Sequence, residues 1–492
     1  MKLARLIEGI EPLRVEGSLD VEIGGICYDS RQVESGCLFV ALRGSRSDGH
    51  HFIEQAVAGG AAALLLEQPY MKTRVPQVQV RDSRAAMARL AAVFHRQPAA
   101  KLRMTGVTGT NGKTTTTFML KHILEAAFLR AALIGTVRYE IGERILPATH
   151  TTPECVDIQR LLQTGVDSGC RSAVMEVSSH ALEQGRVAGI EFDVGVFTNL
   201  SQDHLDYHGS MGEYFRAKQR LFLQMTGQRI KDGHAVVNGD DSYGVRLAKS
   251  LRGKLPVSTF GFGAACTLRA TDARNEHGRT VFKLAEEGGR EFLVRSPFAG
   301  RFNVYNALAA LAAARALGLD LRAAVKALAE APQAPGRLEA VPARRNFQVY
   351  VDYAHTPDAL ENALATLREL SPRRLLVVFG CGGDRDKAKR KPMAEAVERA
   401  ADFAIITSDN PRNEDPLEII GQIRAGFVGE AWMVIEDRKD AIYKAIELAG
   451  EGDVVLIAGK GHETYQEVGG QRYPFSDVEV AGWALADRQP QF

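Results

Sequence analysis

Disulfide and zinc chemistry have little to work with in this chain. Its 492 residues include six cysteines, Cys27, Cys37, Cys155, Cys170, Cys266 and Cys381, scattered and without a Cys-x-x-Cys pair. That usage argues against a secreted disulfide framework or structural zinc and for a reduced compartment. Long apolar runs are also missing; the stretch 56–66 is among the most apolar and is too short to cross a bilayer. The N-terminal residues carry Glu8 and Glu11 and no signal-peptide-like run, so a cytoplasmic protein without membrane insertion is expected. Neither sign of charge dominates. With 61 Lys and Arg against 60 Asp and Glu, the net charge of +1 gives no global electrostatic case for nucleic acid. Basic residues cluster only locally, as at Lys387, Lys389, Arg390 and Lys391, the pattern of a solvated helix face.

What is present begins with Met104-Thr105-Gly106-Val107-Thr108-Gly109-Thr110-Asn111-Gly112-Lys113-Thr114-Thr115. Apolar residues at Leu102, Met104 and Val107 predict a strand before it. Leu120, Ile123, Leu124, Ala127 and Phe128 predict a helix after it. Glycines on a strand-to-helix turn let backbone N–H groups and the helix dipole meet an anion. Lys113 adds a charge for the β/γ-phosphates, and Thr114 a hydroxyl for Mg²⁺. The position five before Gly112 is Val107, where the usual phosphate loop has glycine; here the glycine lies one residue earlier, at Gly106.

The length exceeds one core and predicts about three domains. Residues 1–99 alternate short strands (38–41, 62–66, 77–80) with helical stretches. Residues 100–334 hold the phosphate loop, strands at 132–134, 172–177 and 193–198, and an Ala-rich helical region from Asn303 to about Ala331. Pro332-Gln333-Ala334-Pro335-Gly336 reads as a linker. Residues 335–492 repeat the α/β rhythm, with strands at 348–353, 374–379, 403–407, 432–435 and 454–458 and helices such as 357–370 and 439–449. Short apolar, β-branched strands before helices predict parallel sheets covered on both faces, the last domain doubly wound and Rossmann-like.

Ligands of such sheets bind at the carboxyl ends of the strands. Glu176, in Met175-Glu176-Val177-Ser178-Ser179-His180, either holds a Mg²⁺ or caps the next helix. The segment Thr198-Asn199-Leu200-Ser201-Gln202-Asp203-His204-Leu205-Asp206-Tyr207-His208 is either a hard-cation site or a polar helix start capped by Ser201 or Asp203. Lys218 lies on a helix with an apolar stripe, where most lysines keep the ammonium in water. Three more loops follow strands: Gly380-Cys381-Gly382-Gly383-Asp384-Arg385-Asp386, Ser408-Asp409-Asn410-Pro411-Arg412 and Gly459-Lys460-Gly461-His462-Glu463. Singly each reads as a connection; together at one sheet edge they form a binding face.

With Gly109-Thr110-Asn111-Gly112-Lys113-Thr114 followed by Glu176, Asn199, Asp203-His204 and Lys218, the chain resembles the Mur ligases, whose phosphate loop is of this type. Tyr28-Asp29-Ser30-Arg31, His150-Thr151-Thr152-Pro153, Glu176-Val177-Ser178-Ser179-His180-Ala181-Leu182 and Asp409-Asn410-Pro411-Arg412 place the likeness in the diaminopimelate-adding branch. The resemblance implies three domains: a substrate-binding domain, an ATP-binding domain and an amino-acid-binding domain. It implies a monomeric ligase of peptidoglycan precursor synthesis, and so of cell-wall biogenesis, cell shape and division. Its substrates would be ATP, UDP-MurNAc-L-Ala-D-Glu and meso-diaminopimelate, joined through an acyl phosphate.

By the same resemblance, Gly109, Thr110, Asn111, Gly112, Lys113, Thr114 and Thr115 hold the triphosphate, and Asn303, Arg337, Asp352 and His355 the rest of ATP. Thr114, Glu176, His204 and Lys218 serve Mg²⁺, Lys218 as a carbamate formed from CO2. Lys113, Glu176, His204 and Lys218 make up the catalytic group. Ser30, Ser45, Arg46, Ser47, Thr151, Thr152, Ser178, Gln184 and Arg186 contact the UDP-MurNAc-dipeptide. Arg385, Asp409, Asn410, Pro411, Arg412, Gly459 and Glu463 contact diaminopimelate. Diaminopimelate exceeds lysine by one carboxylate, costly to bury alone, and Arg412 matches the arginine that lysine-adding relatives lack. Lys389-Arg390-Lys391-Pro392 departs from the family's Lys-Arg-Pro and alters only a helix start. A folylpolyglutamate synthetase would lack the first domain, and a nucleotide-driven switch would show switch loops or a charged partner surface, neither of which stands out.

Overall fold

The computed structural model describes residues 1–44, 47–276, 279–342 and 346–487. The chain divides into two compact units, the first made of residues 1–270, 284–292 and 305–327, the second of 271–283, 293–304 and 328–492.

The first unit opens with a five-stranded sheet ordered Arg14–Glu16, Gln77–Gln79, Ala63–Leu66, Cys37–Val40, Gly25–Cys27, parallel except for Arg14–Glu16. Cys37–Val40 and Ala63–Leu66 are buried at every residue because both faces are covered. Leu38, Val40, Leu65 and Val78 share one core with Met87 and Leu90 of helix Ser83–Phe94. Phe39, Leu64 and Leu66 point the other way, onto Ile53 and Ala56 of helix Ile53–Ala58.

A second sheet of the same unit runs Val257–Gly261, His234–Asn238, Val194–Phe197, Arg103–Thr108, Ser172–Glu176, Ala131–Ile134, all parallel, and ends in the antiparallel hairpin Arg138–Ile141 and Arg144–Pro147. Arg103–Thr108 lies between Val194–Phe197 and Ser172–Glu176, Thr105 facing Val194 and Val174. The loops leaving these three strands therefore start side by side. After Val257–Gly261 come strands Leu268–Glu276, Arg279–Glu286 and Glu291–Ser296, along which the division between the units falls.

The second unit carries a six-stranded sheet ordered Glu339–Val341, Gln348–Asp352, Val454–Ala458, Leu375–Phe379, Phe403–Ile406, Trp432–Val434, parallel but for the first strand. Helices Pro357–Arg368 and Arg390–Ala400 cover one face, Arg438–Leu448 and Asp477–Asp487 the other.

Two expectations need correction. The helical region 303–331 is two helices, Arg301–Ala316 and Leu321–Leu328; Gly318, at φ +83°, breaks them. The helix after the phosphate loop, Lys113–Ala126, buries Leu120, Ile123 and Leu124, but Ala127 caps it and Phe128 lies beyond, 94% exposed at φ +59°.

Candidate active site

The phosphate loop leaves Arg103–Thr108 at Gly109 and enters helix Lys113–Ala126 through Gly112. Gly109 (φ +151°) and Gly112 (φ +85°) occupy conformations that side chains rarely adopt. A Cβ at Gly109 would strike Thr198 Oγ1, and one at Gly112 would strike Asn306 Oδ1. The segment after Val194–Phe197 clasps the loop. Asn199 Oδ1 accepts from Asn111 N (2.9 Å), Thr198 Oγ1 donates to Asn111 O (2.6 Å), and Thr110 N donates to Asn199 O (2.9 Å). Lys113 Nζ folds onto the carbonyls of Gly109 (3.0 Å) and Thr110 (2.8 Å). Thr115 is buried in the first turn of the helix.

Beside the loop, Glu176 ends its strand only 1% exposed. Its oxygens accept from Thr114 Oγ1 (3.0 and 3.1 Å), Thr136 N (2.8 Å) and Thr136 Oγ1 (3.0 Å). Among the described residues no Lys or Arg pairs with it. A buried carboxylate ringed by neutral donors, with a phosphate-loop hydroxyl among them, suits a divalent cation. Of its two readings from sequence, the helix cap goes instead to Ser178, whose hydroxyl accepts from Ala181 N (3.2 Å).

Lys218 and His204 gather around Tyr214. Lys218, on helix Met211–Met225, is buried; its Nζ donates to Gly109 O (2.7 Å) and lies 4.5 Å from the Tyr214 ring centroid. Burial, reinforced by Lys113, holds its amine well below the usual lysine range. The solvated-lysine reading is thus overturned for this side chain. The His204 ring stands 6.1 Å from Tyr214 and 4.9 Å from His180, and its Nε2 lies 3.4 Å from Asp203. Tyr214 OH reaches Thr110 Oγ1 (3.3 Å), which ties this group to the loop. Burial, then His204 and His208, push His180 down to about 4. Among the described residues no three His, Cys, Asp or Glu side chains gather closely enough to hold a metal by themselves. Hydroxyl, phosphate or carbamate oxygens would have to complete a shell here.

Thr151, Thr152, Ser178, Gln184 and Arg186 come together next to Glu176. Thr151 Oγ1 lies 3.0 Å from Thr136 Oγ1, and Thr152 Oγ1 donates to Glu176 O (2.8 Å) and accepts from Ser178 N (3.0 Å). Arg186 donates to Thr152 O (2.8 Å) and Gln184 Oε1 (2.7 Å) and pairs with Glu154 (3.1 Å). Ser30, bonded to Gln55 (2.9 Å), and the exposed Ser47 form no hydrogen bond with that group among the described residues. Ser45 and Arg46 lie outside the described residues.

In the second unit the three loops do share one sheet edge. Arg412, at φ +52°, donates Nη1 to Gly383 O (2.7 Å), and its Nε faces Glu467 (3.6 Å). Gly383 N donates to Asn410 O (2.9 Å), and a Cβ on Gly383 would strike the carbonyl of Pro411. Arg385 is exposed on that glycine loop. Asn410 Nδ2 donates to Glu463 Oε2 (2.8 Å), and a Cβ on Gly459 would come within 2.5 Å of Asp409 Oδ2. At the end of Gln348–Asp352, Asp352 accepts from Leu338 N (2.7 Å) and Ala354 N (2.8 Å); burial raises its pKa against the pull of Arg337. The Arg337 guanidinium lies 5.1 Å from the Tyr353 ring, its buried Nε without a partner among the described residues, and the His355 ring packs 4.6 Å from Tyr353. Asn303 sits in the first turn of Arg301–Ala316 and donates to Ala299 O (2.8 Å).

Sequence reasoning did not single out Thr136, Tyr214 or Asn306 as site residues. Each meets the site only through tertiary packing. The one available signal was Thr136's place just past a short apolar strand.

Family models match three consecutive segments: "Mur ligase family, catalytic domain" at 22–95, "Mur ligase middle domain" at 107–314, and "Mur ligase, glutamate ligase domain" at 336–461. A UDP-N-acetylmuramoyl-L-alanyl-D-glutamate--2,6-diaminopimelate ligase of Geobacillus kaustophilus is 47% identical, covering 99% of this chain and 100% of its own. A protein of the same name from Geobacter sulfurreducens is 44% identical over 98% of each chain. A solved structure of a ligase of that name is 35% identical, covers 99% of both chains and superposes with a TM-score of 0.72. With such end-to-end similarity and three matching segments in order, the chain belongs to the Mur ligase family.

Proposed function

We infer that this chain is an ATP-dependent amide-forming ligase that adds meso-2,6-diaminopimelate to the γ-carboxylate of D-Glu in UDP-MurNAc-L-Ala-D-Glu, a cytoplasmic step of peptidoglycan precursor synthesis carried out by a monomer. The observation that carries the acceptor is the convergence of the loops at 380–386, 409–412 and 459–463, joined through Asn410, with Arg412 held on Gly383 O. The full-length likeness to diaminopimelate ligases supports the same reading.

The γ-carboxylate oxygen attacks the γ-phosphorus of ATP, and the bond to ADP breaks. The amine of diaminopimelate then adds to the acyl carbon, and the tetrahedral adduct expels phosphate and loses a proton. The chain's work is positioning and charge neutralisation. Backbone N–H groups of 109–114 and Lys113 hold the triphosphate, and Arg337, Asp352, His355 and Asn303 take the rest of the nucleotide. Mg²⁺, held by Thr114 and Glu176 and at a second position by His204 and carbamylated Lys218, would neutralise phosphate charge. A lysine that is buried with its amine proton weakly held is suited to react with CO2. Thr151, Thr152, Ser178, Gln184 and Arg186, with Ser30 and the 45–47 loop, take the UDP-MurNAc-dipeptide. Domain bounds of 1–99, 100–334 and 335–492 belong to the same reading.

Phosphate release with UDP-MurNAc-L-Ala-D-Glu and ATP tests it, with meso-diaminopimelate compared against L-lysine. Release with diaminopimelate alone is expected. Release with lysine alone would keep the ligase and overturn the acceptor; release without any acceptor would overturn the ligase.

A further inference from the structure

Lys460 has no part in the site as described so far, yet it is fully buried inside it. It follows strand Val454–Ala458 between two glycines of positive φ, Gly459 (+117°) and Gly461 (+51°). Neither tolerates a side chain. A Cβ on Gly459 would crowd Asp409 Oδ2, and one on Gly461 would lie 2.7 Å from Tyr353 Cβ. This Gly-Lys-Gly turn drives the lysine inward, to 0% exposure.

There Nζ donates to Asn410 Oδ1 (3.0 Å) and Glu463 Oε2 (3.1 Å). Asn410 Nδ2 donates to that same Glu463 oxygen (2.8 Å), and Glu467 N donates to Asn410 Oδ1 (2.9 Å). The arrangement closes a ring of ammonium, amide and carboxylate. It fixes the Asn410 flip, because Oδ1 faces two donors. It also commits Glu463 Oε2, while Oε1 has no hydrogen-bond partner among the described residues. A buried cation is tolerated when paired and hydrogen-bonded, as here.

We propose that Lys460 is a positioning residue for the acceptor amino acid: by holding Glu463 Oε2 together with Asn410, it presents Oε1 to the non-reacting ammonium of diaminopimelate. This rests on the acceptor assignment above. It deepens it by separating two tasks: Arg412 reads the distal carboxylate, and the Lys460–Asn410–Glu463 ring reads the distal amine.

The test compares meso-diaminopimelate with L-2-aminopimelate, which keeps both carboxylates and lacks the distal amine, in wild type and Lys460→Met. Wild type is expected to favour diaminopimelate in kcat/KM by about tenfold or more, the worth of a hydrogen bond to a charged group. In Lys460→Met that preference collapses to within about threefold through KM for diaminopimelate, while KM for ATP holds, against a worth of about tenfold for the ordered contact. A merely structural role would depress both acceptors alike. Unchanged preference in Lys460→Met overturns the proposal. Equal use of the two acceptors by wild type also overturns it, and lack of turnover with diaminopimelate overturns the acceptor reading beneath it. Should Lys460→Met not fold, Lys460→Gln, which keeps a donor without the charge, is expected to lower the preference for diaminopimelate by about threefold or more, and an unchanged preference there overturns the proposal as well.

Discussion

Thr114 and Glu176 stand 62 positions apart, yet the threonine hydroxyl lies 3.0 Å from Glu176 Oε1 and 3.1 Å from Oε2. One is the first-turn hydroxyl of the phosphate-loop helix, the other the last residue of the neighbouring parallel strand. Glu176→Gln keeps the shape and removes the charge. The magnesium concentration for half-maximal phosphate release is expected to rise about 10- to 100-fold, with Thr114→Val following in the same direction. An unchanged magnesium dependence in both would remove this pair from the metal site.

Arg412→Ala should raise KM for diaminopimelate about 10- to 100-fold, since a hydrogen-bonded charge pair is worth about 1.5–3 kcal/mol. KM for ATP should hold. Steady-state kinetics that vary each substrate in turn decide it, and an unaltered diaminopimelate KM would take Arg412 out of acceptor recognition.

Gly112→Ala tests the loop backbone. The substitution meets both a φ of +85° and Asn306 Oδ1, so about 1–3 kcal/mol of stability should be lost, along with most ATP binding. Thermal unfolding and nucleotide titration read the two effects separately. A variant binding ATP as wild type does would show the loop to be more tolerant than its geometry implies.

A pH effect follows from Glu414, behind the Arg412 turn. Hydrogen bonds from Arg390, then Lys387 and the Asp384 N–H, hold its carboxyl down to about 2, against an ordinary 4.5. A depressed carboxyl stabilises the fold above its unfolded pKa and loses that contribution as pH falls through the folded one. Between pH 4.5 and 2 the melting temperature of wild type should therefore fall more steeply than that of Glu414→Gln. Parallel curves would show that the carboxylate contributes nothing there.

Much of this was legible from sequence because parallel sheets put chemistry where strands stop. The strand 454–458 was read to the residue, and 172–177 and 374–379 to within one, since continuous apolar runs admit few alternatives. The burial of Lys218 was not legible. An amphipathic helix does not declare that one lysine turns toward Gly109 O. Asn306 was invisible for a similar reason, serving the site through a contact with no local signature, and Thr136 signalled only by its place just past a short apolar strand. The split of 303–331 at Gly318 was missed because alanine-rich helix propensity continues on both sides of a single glycine.

Arg103–Thr108 has a consequence for how this enzyme can be altered. Its two neighbours are indexed against it residue for residue, and each side's exit loop supplies part of one cluster. A slip of one position there would shift the phosphate loop, Glu176 and Asn199 in concert, so the nucleotide machinery changes as a block or not at all. The acceptor loops hang from another sheet, one turn per strand, and are tied to one another through Asn410, so they form a second set that is rewritten together. Engineering a new amino-acid specificity is a matter of editing those turns and leaving the first ensemble as inherited.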